Sequence, residues 1–280
     1  MVYSTGIHPH IRSSDSLAGR YWTASAFLFP SVIIKIVISW KQFFLLALLF
    51  CLTAAVRFSF GLMQPIRVKS ASWRQGVLVL WIFLWFLMLP QKIFLPAAVL
   101  GFIFPLIFIY ELFGGLGAYP IHPVLAGFLI THLFFPQESL SGILESGRFF
   151  ILGCSNLILL ALGGIYLGLR KKIRLIPAFV FIGSVLLSAL ILRVTVDLEV
   201  FYTALLLGFY VQTDTAVSPL KAGAHLISAL GSGLCMTALM MLGKGVMLSG
   251  TMSLAVWNLT SQGFDFLGLP GKRLKAAVYE

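Results

Sequence analysis

The chain has 280 residues, 59% of them hydrophobic and only 10% charged, with a mean hydropathy of +0.99. A soluble protein of this length is about one-quarter charged, so a water-soluble globule is excluded and lipid must face part of the apolar surface. The net charge of +11 lies between apolar runs, so it reports membrane topology and not nucleic-acid binding.

Residues 1–21 are polar, lack the apolar core and cleavage site of a signal peptide, and read as a cytoplasmic N-terminal segment. Ten apolar segments follow, near 22–39, 43–60, 76–90, 93–112, 120–136, 149–169, 174–193, 199–213, 222–243 and 246–262. Several fall short of the usual span of about 20 residues, which suits broken helices or helices shielded by neighbours. Residues 264–280 read as a cytoplasmic tail. No polar linker divides the chain, so the expected architecture is one all-α integral membrane bundle of about ten transmembrane helices over 1–280.

Charge fixes an orientation. With the N-terminus inside, fourteen of the twenty basic residues fall on the inner side, among them Arg12, Arg20, Arg67, Lys172 and Arg174. Six fall on the outer side: Lys35, Lys41, Lys92, Arg148, Arg193 and Lys244. The bias places both termini in the cytoplasm and requires an even number of spans.

Small residues at Gly163-Gly164 with Gly168, and at Gly231-Ser232-Gly233, are assigned to close helix packing. Cys51, Cys154 and Cys235 lie far apart in apolar stretches and are expected to be buried thiols. His122 to Gly127 echoes Ser218 to Gly223. These copies lie four helices apart, hence on one side, whereas an inverted repeat of five helices would put equivalents on opposite sides.

Two loops differ from ordinary connectors. Phe113 to Pro123 holds three glycines and two prolines, which prevent continuous helix. Its freed amides can bind an anion or a polar ring; a plain tight turn is the alternative. Thr213 to Pro219 places Thr213, Asp214 and Ser218 near a proline. These can cap a helix, or line a polar cavity or cation path between apolar spans. Asp197 and Glu199 sit in a short outer loop and are expected to be solvated. The histidines show no zinc spacing, and no phosphate loop, nucleophile elbow or paired-carboxylate signature is present.

Four blocks resemble the D-type subunit of the Rnf electron-transport complex and the related B-type subunit of the sodium-translocating NADH:quinone reductase (Nqr). His8 to Ser16 resembles "SPHIRSGDS" and Phe113 to Pro123 resembles "FGGLGxNPFNP". Gly163 to Pro177 resembles the sixth helix and basic loop, and Thr213 to Pro219, followed by Asn258, resembles "ATDPVTSP" and its sequel. The resemblance implies two five-helix halves similar to urea-transporter-like proteins. It also implies a bacterial cytoplasmic membrane and partner subunits in an assembly that couples electron transfer to sodium or proton export. Family members carry an FMN joined to the threonine of a "D-x-x-S-G-A-T" motif, and a non-covalent riboflavin.

Here the counterpart of that motif is Glu138 to Leu144, with Ser141 and Gly142 retained and Leu144 at the threonine position. Leucine has no hydroxyl, so a covalent FMN is not expected. Tyr119 and His122 align with two asparagines associated with riboflavin. Tyr119 can stack on an isoalloxazine ring and His122 can donate a hydrogen bond, or the site has lost its flavin. Tyr119, His122, Thr213, Asp214 and Ser218 are the expected lining of a polar centre. Three functions are compatible with this pattern: a subunit of an Rnf- or Nqr-like complex without covalent FMN, a small-solute or ion transporter of the same fold, and a scaffold subunit.

Overall fold

The computed structural model describes residues 17–63, 71–90, 93–112, 119–135, 149–214, 216–219 and 221–266. The block His8 to Ser16, the glycine run 113–118 and the Ser141–Gly142–Leu144 motif lie outside the described residues. The fold is an all-α membrane bundle: α1 Leu17–Ile38, α2 Lys41–Met63, α3 Ala71–Met88, α4 Leu95–Pro105, α5 Pro123–Phe134, α6 Phe149–Leu169, α7 Leu175–Ile191, α8 Leu198–Tyr210, α9 Ala222–Met241 and α10 Val246–Phe266. Each expected segment has its helix. The first starts five residues ahead of the expected 22, and the last runs past 264.

Among the described residues three helical stretches, Gly19–Ile38, Lys41–Phe60 and Ala222–Met241, are by themselves long and apolar enough to cross a membrane. Large apolar side chains such as Phe44, Phe58, Leu133, Ile176 and Leu190 are exposed, as a lipid-facing surface requires. Cys51 departs from expectation. It is exposed, because α2 is largely uncovered at the edge of the bundle; Cys235 is half-buried. Asp197 is exposed as expected, whereas Glu199 is half-buried.

Among the described residues α5 and α8 are too short to span. α5 has 12 residues and α8 has 13, which at 1.5 Å per residue is about 18–20 Å against a hydrocarbon core of about 30 Å. α5 begins late because Pro123 fixes its first turn, with His122 as its N-cap. α4 also changes character. Pro105 cannot donate within the helix, and the chain continues as a π-helical turn over Leu106–Glu111, closed by Leu112 N–H donating to the Ile107 carbonyl at 3.0 Å.

The helix contacts repeat with an offset of five. α1 packs on α3 as α6 does on α8, α2 on α4 as α7 on α9, α3 on α5 as α8 on α10, and α4 on α5 as α9 on α10. The α1–α6 and α5–α10 contacts join the halves. Five helices per half give the halves opposite orientations. The echo at residues 122–127 and 218–223 opens α5 and α9, which the offset does not relate. Close packing carries the α4–α5 contact. A Cβ on Gly127 would lie 2.1 Å from the Gly101 carbonyl oxygen, and one on Gly101 would lie 1.8 Å from Thr131 Oγ1. The glycines assigned to packing behave alike: a Cβ on Gly164 would meet Phe209 at 2.3 Å, and one on Gly231 would meet Trp257 at 2.0 Å.

Candidate functional site

The short helices leave two irregular segments on one side, before α5 and after α8. Backbone of this kind is tolerated at membrane depth only when protein covers it. Here the described residues 119–122 and 211–214 are buried or half-buried, and the chain after α8 turns by satisfying its own groups. Asp214 N–H donates to the Val211 carbonyl at 3.1 Å, and the Asp214 carbonyl accepts from Ser218 N–H at 3.1 Å. Asp214 Oδ1 also accepts from Ala216 N–H at 3.1 Å, an Asx-type turn.

This turn holds Asp214, 9% exposed, inside the bundle. Tyr21 at the start of α1 donates its hydroxyl to Oδ1 at 3.1 Å. Tyr119 donates to Oδ2 at 3.4 Å, and His122 Nε2 lies 3.6 Å from Oδ2. His122 Nδ1 accepts the Val124 N–H at 3.3 Å, which places the imidazole proton on Nε2. Trp81 on the buried helix α3 packs edge-on against Tyr110, Tyr119 and His122 at centroid distances of 4.9, 5.6 and 5.9 Å.

The structure therefore brings together three of the five expected residues: Tyr119, His122 and Asp214. Thr213 lines the adjoining cavity, but its hydroxyl donates to the Phe209 carbonyl at 2.6 Å. Ser218 donates to the Gln212 carbonyl at 2.7 Å and shapes the turn. Tyr21 was not among the expected residues. Its only sequence signal was position, an aromatic hydroxyl beside Arg20 at the inner end of the first span.

The cavity beside Asp214 has a volume of about 40 Å³ and is lined by Arg20, Tyr21, Lys172, Tyr210 and Thr213 among others. That is room for a few waters. Among the described residues no three His, Cys, Asp or Glu side chains gather as a metal site.

Two further polar links stand on the same side. Arg57 pairs with Glu111 at 2.7 Å. Arg174 Nη1 donates to His225 Nδ1 and to the Pro219 carbonyl, both at 3.2 Å, and His225 Nε2 reaches the Gln212 carbonyl at 2.9 Å. On the opposite side Lys35 donates to the Phe86 and Leu89 carbonyls at the end of α3. Each link joins helix ends that alternating spans put on one side.

A two-halved helical membrane bundle with a buried carboxylate where two short helices meet is the class this geometry defines. The chain belongs to the NQR2, RnfD, RnfE family, whose model matches residues 4–146, about half of the 280. That match takes in α1 to α5, with Tyr21, Tyr119 and His122, and stops before Asp214. The chain is similar to the D-type subunit of an ion-translocating oxidoreductase complex from Methanosarcina acetivorans, 30% identical over 132 residues, which are 43% of this chain and 46% of the relative. The match thus spans about half the length of each.

Proposed function

We propose that this chain is a membrane subunit of an ion-translocating oxidoreductase complex, set in a cytoplasmic membrane with both termini inside. In this reading Asp214 is an ion station on the inner side. The supporting observation is the buried Asp214 carboxylate, hydrogen-bonded by Tyr21 and Tyr119 of the first half, with His122 beside it, while it belongs to the second. A buried ionisable group at membrane depth, contacted by residues from both halves, sits where such folds move ions. Neither half can shift without changing its hydrogen bonds.

The chain carries no covalent FMN in this proposal, because Leu144 offers no hydroxyl for a phosphoester. Co-expression with a flavin transferase of the family should give no fluorescent band in a denaturing gel. A band that survives denaturation overturns this part.

Affinity purification of the full chain from its native membrane tests the assignment. Companion redox subunits should co-elute. A transporter is the second reading, favoured by the five-helix offset in packing, a pattern common among secondary transporters. It predicts solute flux in liposomes from the chain alone, and neither flux nor redox partners would leave a scaffold.

A further inference from the structure

The Asp214 centre is built from hydrogen-bond donors. Oδ1 faces the Tyr21 hydroxyl and the Ala216 N–H; Oδ2 faces the Tyr119 hydroxyl and His122 Nε2. A hard metal cation needs several oxygen acceptors in place of its hydration shell. Among the described residues, three backbone carbonyls at the end of α8 are already engaged. Leu207 accepts from Val211 and Gln212 N–H, Phe209 from the Thr213 hydroxyl, and Gln212 from the Ser218 hydroxyl and His225. Among the described residues those three carbonyls are therefore spoken for, unlike the free helix ends that coordinate cations where helices are broken.

The cavity that touches Asp214 is lined by Arg20 and Lys172, whose charges disfavour any cation there, so it is the ligand set and not charge that separates a proton from sodium. Among the described residues the other titratable groups around the carboxylate are Tyr21 on α1, Tyr119 and His122 before α5, Tyr110 behind Trp81, and Tyr210 on the cavity wall. None of these supplies a second carboxylate.

We propose that Asp214 is a proton seat reached through this cavity from the basic side, and that sodium does not bind there. The proposal rests on the ion-station reading above and names the ion. A proton passes along hydrogen-bonded water and ends as an O–H bond on the carboxyl group, so it needs no coordination shell. It leaves a hydronium in the cavity, returns that species to water, and takes the centre from one negative charge to neutral. The seat is Asp214 and not His122. Nε2 already carries a proton, and loading Nδ1 would break the Val124 N–H bond that caps α5. When Asp214 is protonated, the Tyr21 or Tyr119 hydroxyl turns from donor to acceptor.

Infrared difference spectroscopy on the full chain in lipid nanodiscs, titrated with acid, tests this. A carboxylic-acid C=O band should appear on acidification, be lost in Asp214→Asn, and persist in Asp197→Asn. Replacing potassium by sodium over a hundredfold range should move its midpoint by less than about 0.2 pH unit, whereas a competing ion moves it by about one unit per tenfold. A sodium-dependent midpoint, or no band assignable to Asp214, overturns the proposal. Should Asp214→Asn not fold, Tyr21→Phe takes its place. It removes one bond to Oδ1 and must shift the band frequency, and an unshifted band overturns the proposal equally. Because the chain is titrated alone, the result is independent of whether partner subunits co-purify.

Discussion

The Tyr21 hydroxyl and the Asp214 carboxylate are 193 positions apart in the chain and 3.1 Å apart in the fold. Their bond ties the first helix of one half to the break between α8 and α9 of the other. It closes a centre that neither half can form alone, so its loss registers as both a local and a between-half defect. Tyr21→Phe keeps the ring and its packing and removes one donor. The expected cost is about 1–2 kcal/mol, read as a lower melting temperature in detergent.

Gly127→Ala puts a methyl group into the Gly101 carbonyl, and the backbone of α4 cannot yield as a side chain would. Overpacking of this kind costs about 1–3 kcal/mol. Thermal unfolding in nanodiscs should show the loss, and Gly183→Ala, where a Cβ meets nothing within 4 Å, should show almost none.

The Arg57–Glu111 pair is asymmetric: the arginine side chain is 29% exposed and the glutamate 3%. Arg57→Met strands a buried carboxylate, whereas Glu111→Gln leaves the arginine able to reach water. The first substitution should therefore destabilise more, by at least about 1 kcal/mol. Equal melting temperatures for the two variants would show that the pair contributes through packing alone.

Lys35 supplies hydrogen bonds to two carbonyls at the end of α3, with its ammonium 4.9 Å from the Phe86 ring centroid. Lys35→Met fills similar volume and leaves both carbonyls without that donor. Loss of about 1–3 kcal/mol is expected, with faster amide exchange at residues 86–90 than elsewhere in α3.

The bundle was legible because composition and apolar run length report directly on lipid as solvent. Every helix lies on an apolar segment named from the sequence; α1 and α10 run on into polar stretches at Leu17 and Phe266 that hydropathy does not register, and α4 stops at Pro105, where the chain turns π-helical. The site was half legible. Proline and glycine mark where helices break, so the segments bearing Tyr119, His122 and Asp214 stood out. Which side chains turn inward did not. Thr213 and Ser218 are as polar as Tyr119, yet they satisfy backbone carbonyls of their own segment. Tyr21 lies at the edge of the polar N-terminal segment and Lys35 inside an apolar run, and only the tertiary fold sets a carboxylate against one and a helix end against the other.

The most direct test of Asp214 as an ion station is redox-driven ion flux in inverted membrane vesicles carrying the assembled complex. The Asp214→Asn variant should lose flux by at least about tenfold, which corresponds to about 1.4 kcal/mol, while Asp197→Asn retains it. Equal flux from the two variants, with the complex intact in both, would contradict the account and leave Asp214 a structural turn.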